Sequence, residues 1–184
     1  MSDVQEPAGP DALAETVTLS DGTEVTIRPI RPDDARRLQA TFHRLSPETI
    51  FYRFLGQPKD LPDEQAHRLA NIDYDSHMAL VAVMDDEVIG VARYAEPNWG
   101  EDGVAEAGVI VEDAYQSKGL GTMLLKRLIN YGLEHGIHTF AATIHHSNQK
   151  ILRFLRHSGL PVERRLDGGL WEVKVRLRDL EVGE

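Results

Sequence analysis

VAEAGVIV (residues 104–111), EDAYQSKGLGT (112–122) and MLLKRLINYGLEHG (123–136) together carry the pattern from which the fold is read. Val104 to Val111 is an apolar run of strand length, interrupted by one carboxylate, Glu106. Beyond a glycine-bearing connection, Leu120, Leu124, Leu125, Leu128 and Tyr131 recur on one helical face, predicting a helix from Gly119 to His135 that Gly136 stops. The first amides of such a helix have no internal partner, and the positive end of its dipole stands behind them. Gln116-Ser117-Lys118-Gly119-Leu120-Gly121-Thr122 is therefore a pyrophosphate cradle in outline, with glycines that let a ligand approach the backbone closely. It is not the P-loop pattern, whose glycines are further apart and followed by Lys, nor the dinucleotide fingerprint, which needs a third glycine. A glycine-rich turn that serves only packing fits the same seven residues.

Working outward, Met78 to Met84 and Val88 to Tyr94 read as buried strands joined by Asp85-Asp86-Glu87. Upstream, Val17 to Leu19 and Val25 to Ile30 flank Ser20-Asp21-Gly22-Thr23 and predict a hairpin with Asp-Gly at its turn. Three helix starts lie between: Pro32 with Asp33 and Asp34, Ser46-Pro47-Glu48, and Leu61-Pro62-Asp63-Glu64. Downstream, His138 to Ile144 is a strand and Asn148 to His157 a helix ended by Ser158-Gly159. Leu160 to Leu166 and Leu170 to Leu177 form a last strand pair around Asp167-Gly168-Gly169. No internal repeat is present, and this order of elements predicts a mixed α/β sheet in one domain spanning 17–180. Residues 1–16, with four acidic side chains and no basic ones, read as a flexible acidic tail.

Composition narrows the function classes. With 30 Asp and Glu against 20 Lys and Arg, the formal charge of −10 argues against general binding to nucleic acid or anionic membrane. The absence of cysteine removes disulfides, thiolate metal sites and cysteine nucleophiles. The longest apolar run, Met78 to Met84, is far short of the ~20 residues that span a bilayer. A cytoplasmic protein is the expectation, with an oligomeric state that sequence leaves open.

Two further features carry chemistry. Glu106 shares a strand face with Val104, Gly108 and Ile110, and Gly108 leaves space beside it. A carboxylate in a strand covered on both faces is expensive unless it has a task or a partner, so Glu106 is a candidate general base, with burial pushing its carboxyl toward the range a base needs. An ion pair with Arg93 is the structural alternative. At His146-Ser147-Asn148-Gln149-Lys150, Ser147 or Asn148 can cap a helix, and the position also allows a ligand contact.

Gln116, Gly119 and Gly121 in a Q/R-x-x-G-x-G/A loop, preceded by Val109-Ile110-Val111 and followed by Asn148 and Gly159-Leu160, resemble the GNAT superfamily of acyl-CoA-dependent N-acetyltransferases. LSDGTEVTIRPIRPDDARRLQATFHRLSPETIFYRF (19–54) and IDYDSHMALVAV (72–83) are similar to the acetyltransferase domain of bacterial Pat-type protein lysine acetyltransferases. The resemblance implies an α/β (α+β) GNAT-like domain. Its mixed central sheet would have about seven strands with helices on both faces. It also implies a splay between the fourth and fifth strands, the one carrying Glu106 and the one opening at His138. Acetyl-CoA would lie there, its pyrophosphate on the amides of Gln116, Ser117, Lys118, Gly119, Leu120, Gly121 and Thr122. The strand Val109, Ile110 and Val111 would hold the pantetheine arm and thioester carbonyl, and Asn148 would make a further coenzyme contact. Glu106 matches the glutamate those lysine acetyltransferases use as base. The implied reaction acetylates a primary amine, a protein lysine side chain first and a small amine as the alternative. A non-catalytic acyl-CoA sensor is a third reading. The tyrosine that many members carry seven residues after the Asn is Leu155 here, leaving the proton donor to the thiolate unassigned.

Other features read as structural. Four of the eight histidines, His135, His138, His145 and His146, invite a metal, but His145 and His146 are adjacent on a strand and so expected on opposite faces; no metal is predicted. Trp99 either lines the acceptor site or anchors its loop. Residues 116–165 hold eight Lys or Arg against two Glu, so the cationic part of an acidic chain coincides with the proposed coenzyme segment.

Overall fold

A computed structural model describes residues 10–97 and 100–179. Its centre is one eight-stranded sheet in the order β1-β2-β3-β4-β5-β6-β8-β7. The strands are β1 (Glu15–Thr18), β2 (Glu24–Pro29), β3 (His77–Met84), β4 (Glu87–Ala95), β5 (Val104–Val111), β6 (Thr139–His145), β7 (Val162–Asp167) and β8 (Leu170–Arg176). All neighbours are antiparallel except β5 and β6, which are parallel. The count is eight, as the individually predicted strands sum to, rather than the seven or so that the resemblance implies, and the Glu106 and His138 strands are accordingly fifth and sixth. Strand β1 opens at Glu15, preceded by a single 3₁₀ turn over Pro10–Leu13. Residues 1–9 of the expected tail lie outside the described residues, as does Trp99.

Two layers of helix cover the sheet. Alternation along β3 sends Met78, Leu80 and Ala82 to one face and Ala79 and Val81 to the other. On the first face they meet α4 (Leu120–Glu134), whose Leu120, Leu124, Leu128 and Ile129 are buried, with α5 (Gln149–His157) beside it. On the second face α1 (Ala35–Arg44) and α3 (Asp63–Ala70) bury Leu38, Phe42, Ala66 and Ala70. Between them α2 (Pro47–Phe54) begins at Ser46, whose hydroxyl accepts the Thr49 amide at 3.2 Å as an N-cap. Helices α2 to α5 stand within two residues of their predicted starts, whereas Pro32–Asp34 forms a 3₁₀ turn and α1 begins after it at Ala35.

The second face is pinned by a buried ion pair. Arg28 at the end of β2 donates to both carboxylate oxygens of Asp34, at 2.7 and 2.9 Å, and the Arg31 amide donates to the same carboxylate at 2.8 Å. Burial raises the Asp34 carboxyl, but the Arg28 fork and the Arg31 amide outweigh it and hold it below the ordinary carboxylate value. Removing one member strands the other as a buried charge. Asp34→Ala is expected to lower the unfolding free energy by about 3–5 kcal/mol in urea titrations. Because the folded carboxyl is depressed, the wild-type contribution is complete above the unfolded value of about 3.9 and disappears as pH falls through the lower folded value. The stability gap between the two proteins should therefore close in acid.

Candidate active site

The parallel pair β5–β6 holds together for three residues. Val104, Ala105 and Glu106 face Thr139, Phe140 and Ala141, and no pairing continues beyond. The carbonyl of Gly103, at φ +73°, accepts the amides of His138 and Thr139 at 2.8 and 3.2 Å, which clamps the start of the pair. From there β5 stays on β4 as far as Val111, while β6 stays on β8 as far as His145. Ala107 to Val111 consequently lose their ladder partner on one side, and their backbone groups on that edge need another.

This opening is lined by a cavity of about 1150 Å³ that reaches from Ala107–Val111 to the N-terminus of α4 and across to α5. Val109, Ile110, Val111, Gln116, Ser117, Gly119, Gly121, Thr122 and Asn148 of the predicted set line it. The first turn of α4 carries no side-chain cap, and Ser117 and Gly119 take positive φ of 61° and 89° at the turn into it. Asn148 makes no capping bond to α5, so its side chain is not spent as the alternative reading allowed.

Two predicted residues do not line the cavity. The Lys118 side chain turns to the β1–β2 turn, where its ammonium lies 2.8 Å from Asp21. That contact, with the Thr23 amide, holds the Asp21 carboxyl well below its ordinary value. Leu120 is fully buried in the core, because the helical face that predicted α4 also claims this position. Gln116 lines the cavity but its side chain is used as a latch: its amide nitrogen donates to the Val111 carbonyl at 2.9 Å and to Thr49 at 3.0 Å, and its oxygen accepts from Lys150. Asp113 fixes α2 to the same loop, accepting from the Ser46 amide and hydroxyl at 2.9 and 2.6 Å and from Thr49 at 2.9 Å. Against desolvation, these donors keep its carboxyl below the usual range.

Helix α2 bridges the parted strands. From its last turn Arg53 lies over Gly108 of β5, while Tyr52 approaches Ser147, with hydroxyl oxygens 3.2 Å apart, and Phe51 packs against His145 with ring centroids 5.1 Å apart. Tyr52 is the tyrosine that lines the cavity. Leu155 lines it as well, at the position where many relatives place a tyrosine.

On the α2 side of the sheet a second cavity, of about 830 Å³, adjoins the first and is lined by Glu106, Arg53 and Arg93. Glu106 is exposed, which corrects the expectation of a desolvated carboxylate. The reason is the splay itself: β5 parts from its neighbour just past this residue, so no packed layer covers it. The Arg93 pairing is also absent; Arg93 donates to the Leu69 carbonyl at 3.1 Å, and Glu106 has no ion-pair or hydrogen-bond partner among the described residues. Arg53 escaped the sequence reading, although the space beside Gly108 was its signal.

The histidines are placed by ordinary contacts. His135 stacks on Tyr131 at 3.9 Å and His138 bonds Thr139 and the Asp102 carbonyl. His145 and His146 are not on opposite faces, because the strand ends at His145; their rings are 4.5 Å apart. Among the described residues no group of three or more His, Asp or Glu is arranged to hold a metal, and no helix is long and apolar enough to cross a membrane.

Residues 40–160 match the Acetyltransferase (GNAT) family. Acetyltransferase PA5475 of Pseudomonas aeruginosa is 35% identical over 146 residues, covering 74% of this chain and 77% of that protein. An L-methionine sulfoximine/L-methionine sulfone acetyltransferase of Pseudomonas paraeruginosa is 31% identical over 107 residues, 57% of this chain and 62% of that protein. Among solved structures, the GNAT domain of S. lividans PAT superposes with a TM-score of 0.82 at 28% identity, covering 94% of this chain and all of that one. The parted β5–β6 pair, the uncapped α4 and the family match agree, and the chain belongs to the GNAT family of acetyltransferases, whose co-substrate is acetyl-CoA.

Proposed function

We propose that this acetyltransferase moves the acetyl group of acetyl-CoA to a primary amine, with a protein lysine as acceptor and Glu106 as general base. The observation that carries the reading is the juxtaposition of an unpaired strand edge, Ala107 to Val111, with Glu106 at the point where the strands part. In this reading the amides of Gln116 to Thr122 take the pyrophosphate. The free edge at Val109 and Val111 takes the pantetheine arm and polarises the thioester carbonyl, and Asn148 makes a further contact. Lys126, Lys150 and Arg153 line the same cavity and supply positive charge toward a polyanionic coenzyme.

Chemistry follows from the two sides of the splay. Glu106, directly or through a water, removes a proton from the substrate ammonium. The freed amine attacks the thioester carbon; a C–N bond forms, the C–S bond breaks, and the thiolate leaves to be protonated. An exposed carboxylate can return its proton to solvent between turnovers, so burial is not required of this base. The protein-lysine acceptor is supported by the likeness to the S. lividans PAT domain over its full length. A small amino-acid-like amine is supported by the sulfoximine acetyltransferase relative. Incubation with labelled acetyl-CoA and a panel of proteins and small amines separates the two. The cytoplasm, where acetyl-CoA is supplied, is the proposed location.

Glu106→Gln is expected to leave acetyl-CoA affinity unchanged while lowering turnover by roughly 10² or more, the size of a general-base contribution. Steady-state kinetics beside calorimetry check it, and near-wild-type turnover would remove Glu106 from that role. A Cβ at Gly121 would meet Val111 at an ordinary 3.7 Å, so small side chains fit the fold there. Gly121→Val should therefore fold but raise the acetyl-CoA dissociation constant by about tenfold or more, because its methyl groups occupy the proposed cradle. Unaltered affinity by calorimetry would relocate the pyrophosphate.

A further inference from the structure

The sheet face that carries Glu106 also holds two arginines, Arg93 of β4 and Arg53 of α2, with no counter-charge among the described residues. Arg93 stands directly opposite Gly108 on β4, so its side chain leaves the sheet on the same face, next to Gly108. Arg53 reaches that spot from α2, its guanidinium carbon 3.0 Å from where a Cβ of Gly108 would sit. Arg93 has one bond, to the Leu69 carbonyl, while Arg53 has no hydrogen bond or ion pair among the described residues and lies over Gly108 with its guanidinium carbon 5.6 Å from the Phe54 ring centroid. Burial lowers both guanidinium groups from their ordinary value, Arg93 to about 10 with the Arg53 charge contributing. Two like charges held side by side and partly shielded from water are costly unless an anion joins them.

That anion is not supplied by the fold. Glu106 and Glu163 line the same cavity and pair with neither arginine, and Glu172 is held by Arg165 at 2.7 Å. Nor does the coenzyme cradle place its phosphates here, since the amides of Gly119 to Thr122 lie at the far end of β5 beyond Val111. We infer that Arg53 and Arg93 form a receptor for a carboxylate carried by the acceptor close to its reactive amine. Two planar guanidinium forks lining one cavity suit a carboxylate, and a carboxylate docked near Gly108 leaves a neighbouring amine beside Glu106, two residues along the same face. The inference rests on the Glu106 cavity being the acceptor side. The carboxylate has two sources, the α-carboxylate of a free amino acid or an acidic side chain next to a lysine in a protein.

The test compares kcat/KM at saturating acetyl-CoA for two libraries. One contains free L-amino acids and their α-carboxamides; the other contains lysine peptides with Asp or Glu beside the lysine and their Asn or Gln counterparts. Acceptors with the carboxylate should exceed their amide counterparts by at least about tenfold, in one library or the other according to the source. Arg53→Gln and Arg93→Gln should shrink that preference to within about twofold, chiefly through KM, and Arg53→Lys should restore part of it. Thermal melts confirm folding, and Arg53, which makes no hydrogen bond or ion pair among the described residues, gives the cleaner variant. Equal use of acids and amides, equal loss of both in the variants, turnover confined to amines without an anionic group, or none in either library would overturn the receptor. Failure of the base reading looks different: Glu106→Gln would stay active with the carboxylate preference intact.

Discussion

The structure depends on a parallel strand pair that is allowed only three residues of pairing. A sheet ladder satisfies backbone donors and acceptors, and breaking one in the middle of a domain is costly unless something replaces it. Here β5 and β6 are clamped at Gly103 and then drawn apart by antiparallel neighbours, β4 on one side and β8 on the other. The edge thus exposed is a ready-made groove for an extended ligand with amide and carbonyl groups. The arm of acetyl-CoA is such a ligand, and the uncapped start of α4 lies where the groove ends.

Around that opening, short helices on the α2 side do two jobs at once. Helix α2 is locked to the loop after β5 through Ser46, Thr49, Asp113 and Gln116, and it reaches Ser147 beyond β6 through Tyr52. It therefore spans the strands that the sheet lets go, and it delivers Arg53 to the space over Gly108. The same helix lines both cavities, so in the proposed reading the two substrates would meet at a site spanned by one helix.

Much of this was legible in the residues, and the reasons for the gaps are physical. Strand β5 was placed to the residue, because its β-branched run is bounded by turn residues on both sides. The glycine loop was read correctly as a strand-to-helix turn, yet the side chains of Lys118 and Leu120 do not line the cavity, and only their backbone amides are left to serve the proposed cradle. A seven-residue motif names a stretch of backbone, whereas side chains within it follow their own attractions, to Asp21 and to the core. Glu106 was expected to be buried because a sequence shows what a strand contains but not where its neighbour departs. Likewise the cationic block over residues 116–165 is no single patch: Lys126, Lys150 and Arg153 line the larger cavity, while Lys118, Arg127 and Arg165 are paired with Asp21, Glu15 and Glu172.

The central claim is that the free edge of β5 and the first turn of α4 are the two halves of one acetyl-CoA site. Amide hydrogen exchange in the presence and absence of acetyl-CoA tests this most directly, because it reads those backbone groups themselves. The account predicts slowed exchange on binding in two separated stretches, Ala107 to Val111 and Gln116 to Thr122, with little change along β1, β2 and α3. Binding that leaves the β5 edge exchanging as before would contradict it.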